Sequence, residues 1–157
     1  MKVVQILLSP TPARLEACVD SVRAFADRAG AQYDIIDTVP EWGKGYSFLG
    51  AVSDRIKLEL IAREKEIFAP DWDILLSDDF ELPDYPAFGD MHINAVWNAG
   101  ELLPGWYDTL MEYNAAHRMH HLEYCRVPKI MIKSGYEFRY LQNHTHLSFT
   151  SGGAQWT

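Results

Sequence analysis

At 157 residues, 48% hydrophobic and 23% charged, the chain has the make-up of a single globular domain, residues 1–157, large enough to bury a core without staples. A formal net charge of −8 with no basic stripe excludes a protein that grips a nucleic-acid backbone. Cys18 and Cys125 stand apart with no CxxC spacing, which argues against a disulfide framework or a thiolate zinc site and suits a reducing compartment.

The opening run "KVVQILLS" is short, apolar and β-branched, and "PTP" ends it, as expected of a central strand. It is too short for a secretion-signal core or a membrane span, so the expected protein is soluble and cytoplasmic. Over residues 13–28, Leu15, Cys18, Val19, Val22, Phe25 and Ala26 recur at helical spacing, and Gly30 supplies the stop. "YDIIDTV" (33–39) predicts a second strand, and "EWGKGYSFLG" (41–50) a loop punctuated by glycine. Residues 51–68 predict an amphipathic helix with Ile56, Leu60, Ile61 and Phe68 on one side. "WDILLS" (72–77) then predicts a third strand. Strand, helix, strand, helix, strand is the order of parallel crossovers, so the expected class is α/β with ligands at the carboxyl ends of strands.

Beyond Pro83 the pattern loosens. A strand is expected near residues 93–97 and a helix over 105–124, with two late strands at "KIMIKS" (129–134) and "FRYLQN" (138–143). The tail "HTHLSFTSGGAQWT" reads as loop.

Several groupings could carry chemistry. "LLSDDFEL" brings the adjacent acids Asp78 and Asp79 out of an apolar run. Close like charges disfavour joint ionisation, a conflict that a hard divalent cation resolves; a solvated turn or a helix cap accommodates the same residues. Asp54 and Lys57 lie three apart and share a helix face that could hold hydroxyls or phosphate, although a helix acid in a routine ion pair fits equally simply. His117, His120 and His121 have the spacing of a zinc pair but no glutamate between them, and read as a solvated face. His144 and His146 alternate as at a strand end, so one of them is expected to face a site. In "WNAGELLPGW", Asn98, Ala99 and Gly100 permit close approach of a polar ligand, or simply a turn.

In this order the segments resemble the small GT-A-fold glycosyltransferases whose sugar-binding region carries a DxD motif, the group with mannosyl- and capsule-type transferases. "VVQILLSPTP" stands where that group has a strand of the type "IHQIW" followed by prolines, with Gln5 at the Gln position. "SDRIKLELI" matches "SDxxRxxxL", with Asp54 retained and Lys57 where Arg is usual; "LLSDDFEL" stands for "YLDTDVEL", and "HTHLSF" for a late histidine before "SW". The resemblance implies a three-layer α/β sandwich with a mostly parallel central sheet. It also implies transfer of a sugar from a nucleotide-diphosphosugar to an acceptor hydroxyl with Mn²⁺ or Mg²⁺. By it, Asp79 would ligate the metal and His144 or His146 would complete the shell. Ser77 would occupy the first motif position, with Asp78 supplying the missing charge. Gln5, Asp54 and Lys57 would line the donor site; Asn98, from the small-residue step after the expected strand, is counted with them as a substrate-binding candidate. Asp78, Glu81 and Glu101 are base candidates by location only. Two other readings stand beside it: a receiver-type phosphoacceptor domain using Asp78, and a binding module that does no chemistry.

Overall fold

The computed structural model describes residues 1–46, 48–90, 93–117, 127–137 and 139–147. In chain order the elements are β1 (Lys2–Ile6), α1 (Glu16–Arg28), β2 (Gln32–Ile36), α2 (Leu49–Arg63), β3 (Ile67–Pro70), β4 (Ile74–Leu76), β5 (Ala87–Phe88), β6 (Ala95–Trp97), α3 (Pro104–His117), α4 (Val127–Lys133) and β7 (His144–His146). A five-stranded sheet has the order β2-β1-β3-β6-β5. β1 pairs in parallel with β2 and β3, while β6 runs antiparallel to both β3 and β5, so β6 alone of the five is reversed. β4 and β7 form a separate antiparallel pair, with Ile74 opposite His146 and Leu76 opposite His144.

The strand period of two separates the core into layers. Val3, Phe68, Ala87, Ala95 and Trp97 point to one face, where they meet Val22 and Phe25 of α1 and Ile74 and Leu76 of β4. Val4, Ile67, Ala69, Phe88 and Val96 point to the other, against Leu58 and Ile61 of α2, Leu110 of α3 and Met131 of α4. The first helix ends as its glycine predicts: Gly30 has φ +60°, and Ala31 N–H reaches back to Ala26 O at 2.9 Å.

Four sequence expectations are corrected. The third parallel strand is "IFAP", not "WDILLS"; Pro70, Asp71 and Trp72 divide the apolar run, and residues 74–76 leave the main sheet to pair with β7. The second long helix stops at Arg63, so Phe68 belongs to β3 rather than to a helix face. "KIMIK" is helical, within α4 and closed by Ser134 N–H on Ile130 O at 3.0 Å; adjacent buried Ile130 and Met131 fit a helix as well as a strand covered on both faces, so the short apolar run carries no period that decides. "HTH" is a strand, because its partner lies some seventy positions upstream in β4 and no local pattern reveals it. Of the other late strand, Tyr140 makes a single parallel bridge to Phe88. His120, His121, Cys125 and the side chain of His117 lie outside the described residues, as do 148–157.

No helix among the described residues is long and apolar enough to cross a membrane.

Candidate functional site

β1 and β3 are adjacent parallel strands, so their carboxyl ends lie side by side at one end of the sheet, where α/β folds bind ligands. The chain leaving β3 there is Asp71-Trp72-Asp73, folded as a turn in which Ile74 N–H donates to Asp71 O. Asp71 is anchored by its own N–H, which donates to Asn94 O at 2.6 Å.

From the other side, α2 delivers three polar residues into a helix buried on most of its circumference: Ser53, Asp54 and Lys57. Lys57 is fully buried, and its ammonium has three acceptors: Asp71 Oδ1 at 2.6 Å, Ile93 O at 2.7 Å and Asp54 Oδ1 at 3.1 Å. Three donors meet three acceptors, so the buried charge is compensated. Ser53 Oγ donates to Asp71 Oδ1 at 3.2 Å. The carbonyl that Lys57 uses belongs to a residue under strain: Ile93 has φ +55°, a region that a β-branched side chain rarely enters and that costs about 1–3 kcal/mol.

A second part of the cluster forms around β7. His146 Nε2 lies 3.1 Å from Asp73 Oδ2, and its Nδ1 lies 3.1 Å from Asp90 Oδ2. Asn94 Nδ2 donates to the same Asp90 oxygen at 2.9 Å. Leu147 N–H donates to Asp73 O at 3.0 Å, which ties the end of β7 to the acidic turn.

The electrostatics follow from burial and like charge. Burial pushes Asp54 up to about 8, against Lys57, with Asp71 adding to the rise. Asp71 is raised as well, by burial first and then by Asp73. Burial alone would lower His146, but hydrogen bonds and charge from Asp73 and Asp90 outweigh it and raise the imidazole to about 9. At neutral pH His146 is therefore an imidazolium donating from both nitrogens. Four carboxyl groups, Asp54, Asp71, Asp73 and Asp90, thus face two basic groups, Lys57 and His146.

Of the residues singled out in the sequence, Asp54, Lys57 and His146 meet here. The others lie elsewhere. Ser77, Asp78 and Asp79 occupy an exposed turn closed by Phe80 N–H on Ser77 O, and Ser77 Oγ lies 2.6 Å from Asp79 Oδ1 and 2.7 Å from Asn143 O. That turn follows β4 of the small sheet, not a parallel strand of the large one, and three strand residues, roughly 10 Å, separate it from Asp73. Glu81 and Glu101 are exposed. Gln5 is buried on the α1 face and accepts from Tyr33 Oη at 2.5 Å. Asn98 is consumed at the far end of the sheet: its Nδ2 donates to Glu64 O at 2.6 Å and its Oδ1 accepts from Ile67 N–H at 2.8 Å.

His144 shares a strand face with His146, because positions two apart on a strand point the same way, which corrects the expectation that only one could turn toward a site. Burial lowers the His144 pKa and leaves its imidazole neutral at physiological pH.

Asp71, Asp73, Asp90 and Asn94 were not singled out. The first two form a D-x-D triplet directly after "IFAP", a signal masked by reading residues 72–77 as one strand. Asp90 and Asn94 carry no local signature and reach the cluster only through the β5–β6 hairpin.

No protein-family model matches the chain, and no curated protein matches it in sequence. Among solved structures it is similar to a glycosyltransferase involved in the glycosylation of the major capsid of PBCV-1, with a TM-score of 0.53 at 8% identity, covering 89% of this chain and 79% of that one. A mutant Drosophila beta-1,4-galactosyltransferase 7 in complex with manganese, UDP-Gal and xylobiose gives a TM-score of 0.44 at 13% identity over 100% of this chain and 76% of that one, too low a score to carry an argument. The fold is the GT-A glycosyltransferase type: a central, mostly parallel sheet between helical layers.

Proposed function

We propose that the protein is a glycosyltransferase that takes a sugar from a nucleotide-diphosphosugar and passes it to an acceptor hydroxyl, with its donor site at the Asp71–Asp73 turn. The observation that carries this reading is the convergence of Asp54, Lys57, Asp71, Asp73, Asp90 and His146 at the carboxyl ends of β1 and β3 in a fold of this type. The metal-facing acids are then Asp71 and Asp73, upstream of Asp79, and the late histidine is His146.

The donor chemistry suits a hard or borderline divalent cation such as Mn²⁺ or Mg²⁺, since carboxylate oxygens outnumber basic groups and an imidazole stands among them. Among the described residues no three His, Cys, Asp or Glu side chains are already gathered as a shell. Asp71, Asp73 and His146 would hold the ion once His146 gives up the proton it shares with Asp73. When bound, the ion neutralises charge developing on the leaving diphosphate. Lys57, already committed to two carboxylates and a carbonyl, holds Asp71 in place and leaves no donor for phosphate. Asp54, whose carboxyl is pushed toward the protonated form, is suited to hydrogen-bond a sugar hydroxyl.

Calorimetric titration with UDP- and GDP-sugars, with and without Mn²⁺, tests the reading. Metal-dependent binding that disappears in Asp73→Asn and persists in Asp79→Ala is expected. Binding lost in Asp79→Ala and retained in Asp73→Asn would place the donor site at the wrong turn.

A further inference from the structure

We propose that Asn94, seated against Gly89 across the β5–β6 hairpin, is a positioning residue that sets Asp90 and Asp71 at the acidic cluster; the inference rests on the donor-site reading above. Asn94 is 1% exposed and touches the cluster through two independent groups. Its side-chain Nδ2 donates to Asp90 Oδ2 at 2.9 Å, the oxygen that also faces His146 Nδ1. Its backbone carbonyl accepts from Asp71 N–H at 2.6 Å. One residue therefore connects the Asp71–Asp73 turn to the acid on the other side of His146.

The seat is specific. A Cβ at Gly89 would lie 2.0 Å from Asn94 Oδ1 and 3.0 Å from its Cγ, so no other residue at 89 leaves room for the amide where it stands. Gly89 is itself fixed opposite, its N–H donating to Ala95 O at 2.8 Å. Among the described residues Asn94 Oδ1 is buried without a hydrogen-bond partner, a cost that a leucine or valine at this position would avoid. The other half of the amide is engaged on Asp90. Residues that orient ligating groups from behind commonly change metal affinity about 10–100-fold when removed.

Gly89→Ala, Asn94→Ala and the double variant test this. Three readouts are compared: Mn²⁺ titration of the protein alone, the side-chain N–H signals of ¹⁵N-labelled His146, and the melting temperature. Each single variant is expected to weaken Mn²⁺ about 10–100-fold and to shift the His146 Nδ1–H signal. The double variant is expected to be no worse than the weaker single, because Asn94→Ala removes the two nearest atoms that a methyl group added at Gly89 would strike and leaves only Ala95 Cβ, at 3.1 Å. Multiplying losses in the double variant would overturn the proposal, as would singles that change only the melting temperature. If the wild-type protein binds no Mn²⁺, the donor-site reading fails, and the His146 signal decides the positioning claim: a common shift in both singles upholds it, and an unmoved signal refutes it. Should Gly89→Ala not fold, Asn94→Ala alone decides on the same signal.

Discussion

Replacing Lys57 by methionine keeps the apolar stem and deletes the ammonium from a fully buried position. The deletion strands Asp54 Oδ1, Asp71 Oδ1 and Ile93 O, which Lys57 contacts at 3.1, 2.6 and 2.7 Å. Breaking a buried ion pair by removing one partner costs about 3–5 kcal/mol, because the surviving charge stays in a poorly solvated site. At about 2–4 °C per kcal/mol for a domain of this size, the melting temperature should fall by about 6–20 °C at pH 9. The penalty has a pH signature. Asp54 is already raised to about 8 with Lys57 present, and losing the cation raises it further, so acidification neutralises the stranded carboxyls. Urea melts of Lys57→Met and wild type should therefore draw together as pH falls from about 10 to below about 8, and Asp54→Asn in the Lys57→Met background should recover part of the loss at pH 9. A Lys57→Met protein within about 1 kcal/mol of wild type at pH 9, or a gap independent of pH, would refute the buried network.

The metal-free protein should lose stability in alkali. The His146 pKa is raised from 6.5 to about 9, so its contribution is complete below about 6.5 and is lost as pH rises through 9, about 3 kcal/mol in all. Asp54, raised from 3.8 to about 8, adds a loss of the same sign between those values, and a urea midpoint that does not fall between pH 6 and pH 10 would contradict both. Asn98→Leu leaves Glu64 O and Ile67 N–H unpaired and should cost about 2–4 kcal/mol in denaturant melts while Mn²⁺-dependent nucleotide binding is unchanged. Mn²⁺ affinity should rise with pH up to about 9, since the ion must displace the His146 proton; calorimetry at pH 6 and pH 8 gives the sign.

The front half of the fold is legible because its signals are local. β1, α1 and β2 follow from a β-branched run, a helical apolar stripe and a glycine stop, and all three fall close to their expected places. Asp54 and Lys57 were recognisable as a pair because one helix turn separates them. The carboxyl end of β3 was harder to read. Phe68 falls seven positions after Ile61, so the helical stripe runs on in the sequence through the break at Glu64–Glu66, where Glu66 takes φ +56°. That displaced the third strand by several residues and, with it, the acids at its end. Asp78 and Asp79 look like a strand-end pair, yet the strand they end is β4, whose partner is His144–His146. Strand pairing at that separation leaves no periodic trace, and for the same reason Asp90 and Asn94 could be found only after the chain had folded.

The most direct test is a crystal structure of the protein with Mn²⁺ and a nucleoside diphosphate, read from the manganese anomalous signal. A single strong peak is expected within bonding reach of Asp73 and His146, with the diphosphate beside the Asp71–Asp73 turn. A peak at the Asp78–Asp79 turn, or a diphosphate bound away from Asp54 and Asp71, would contradict the assignment.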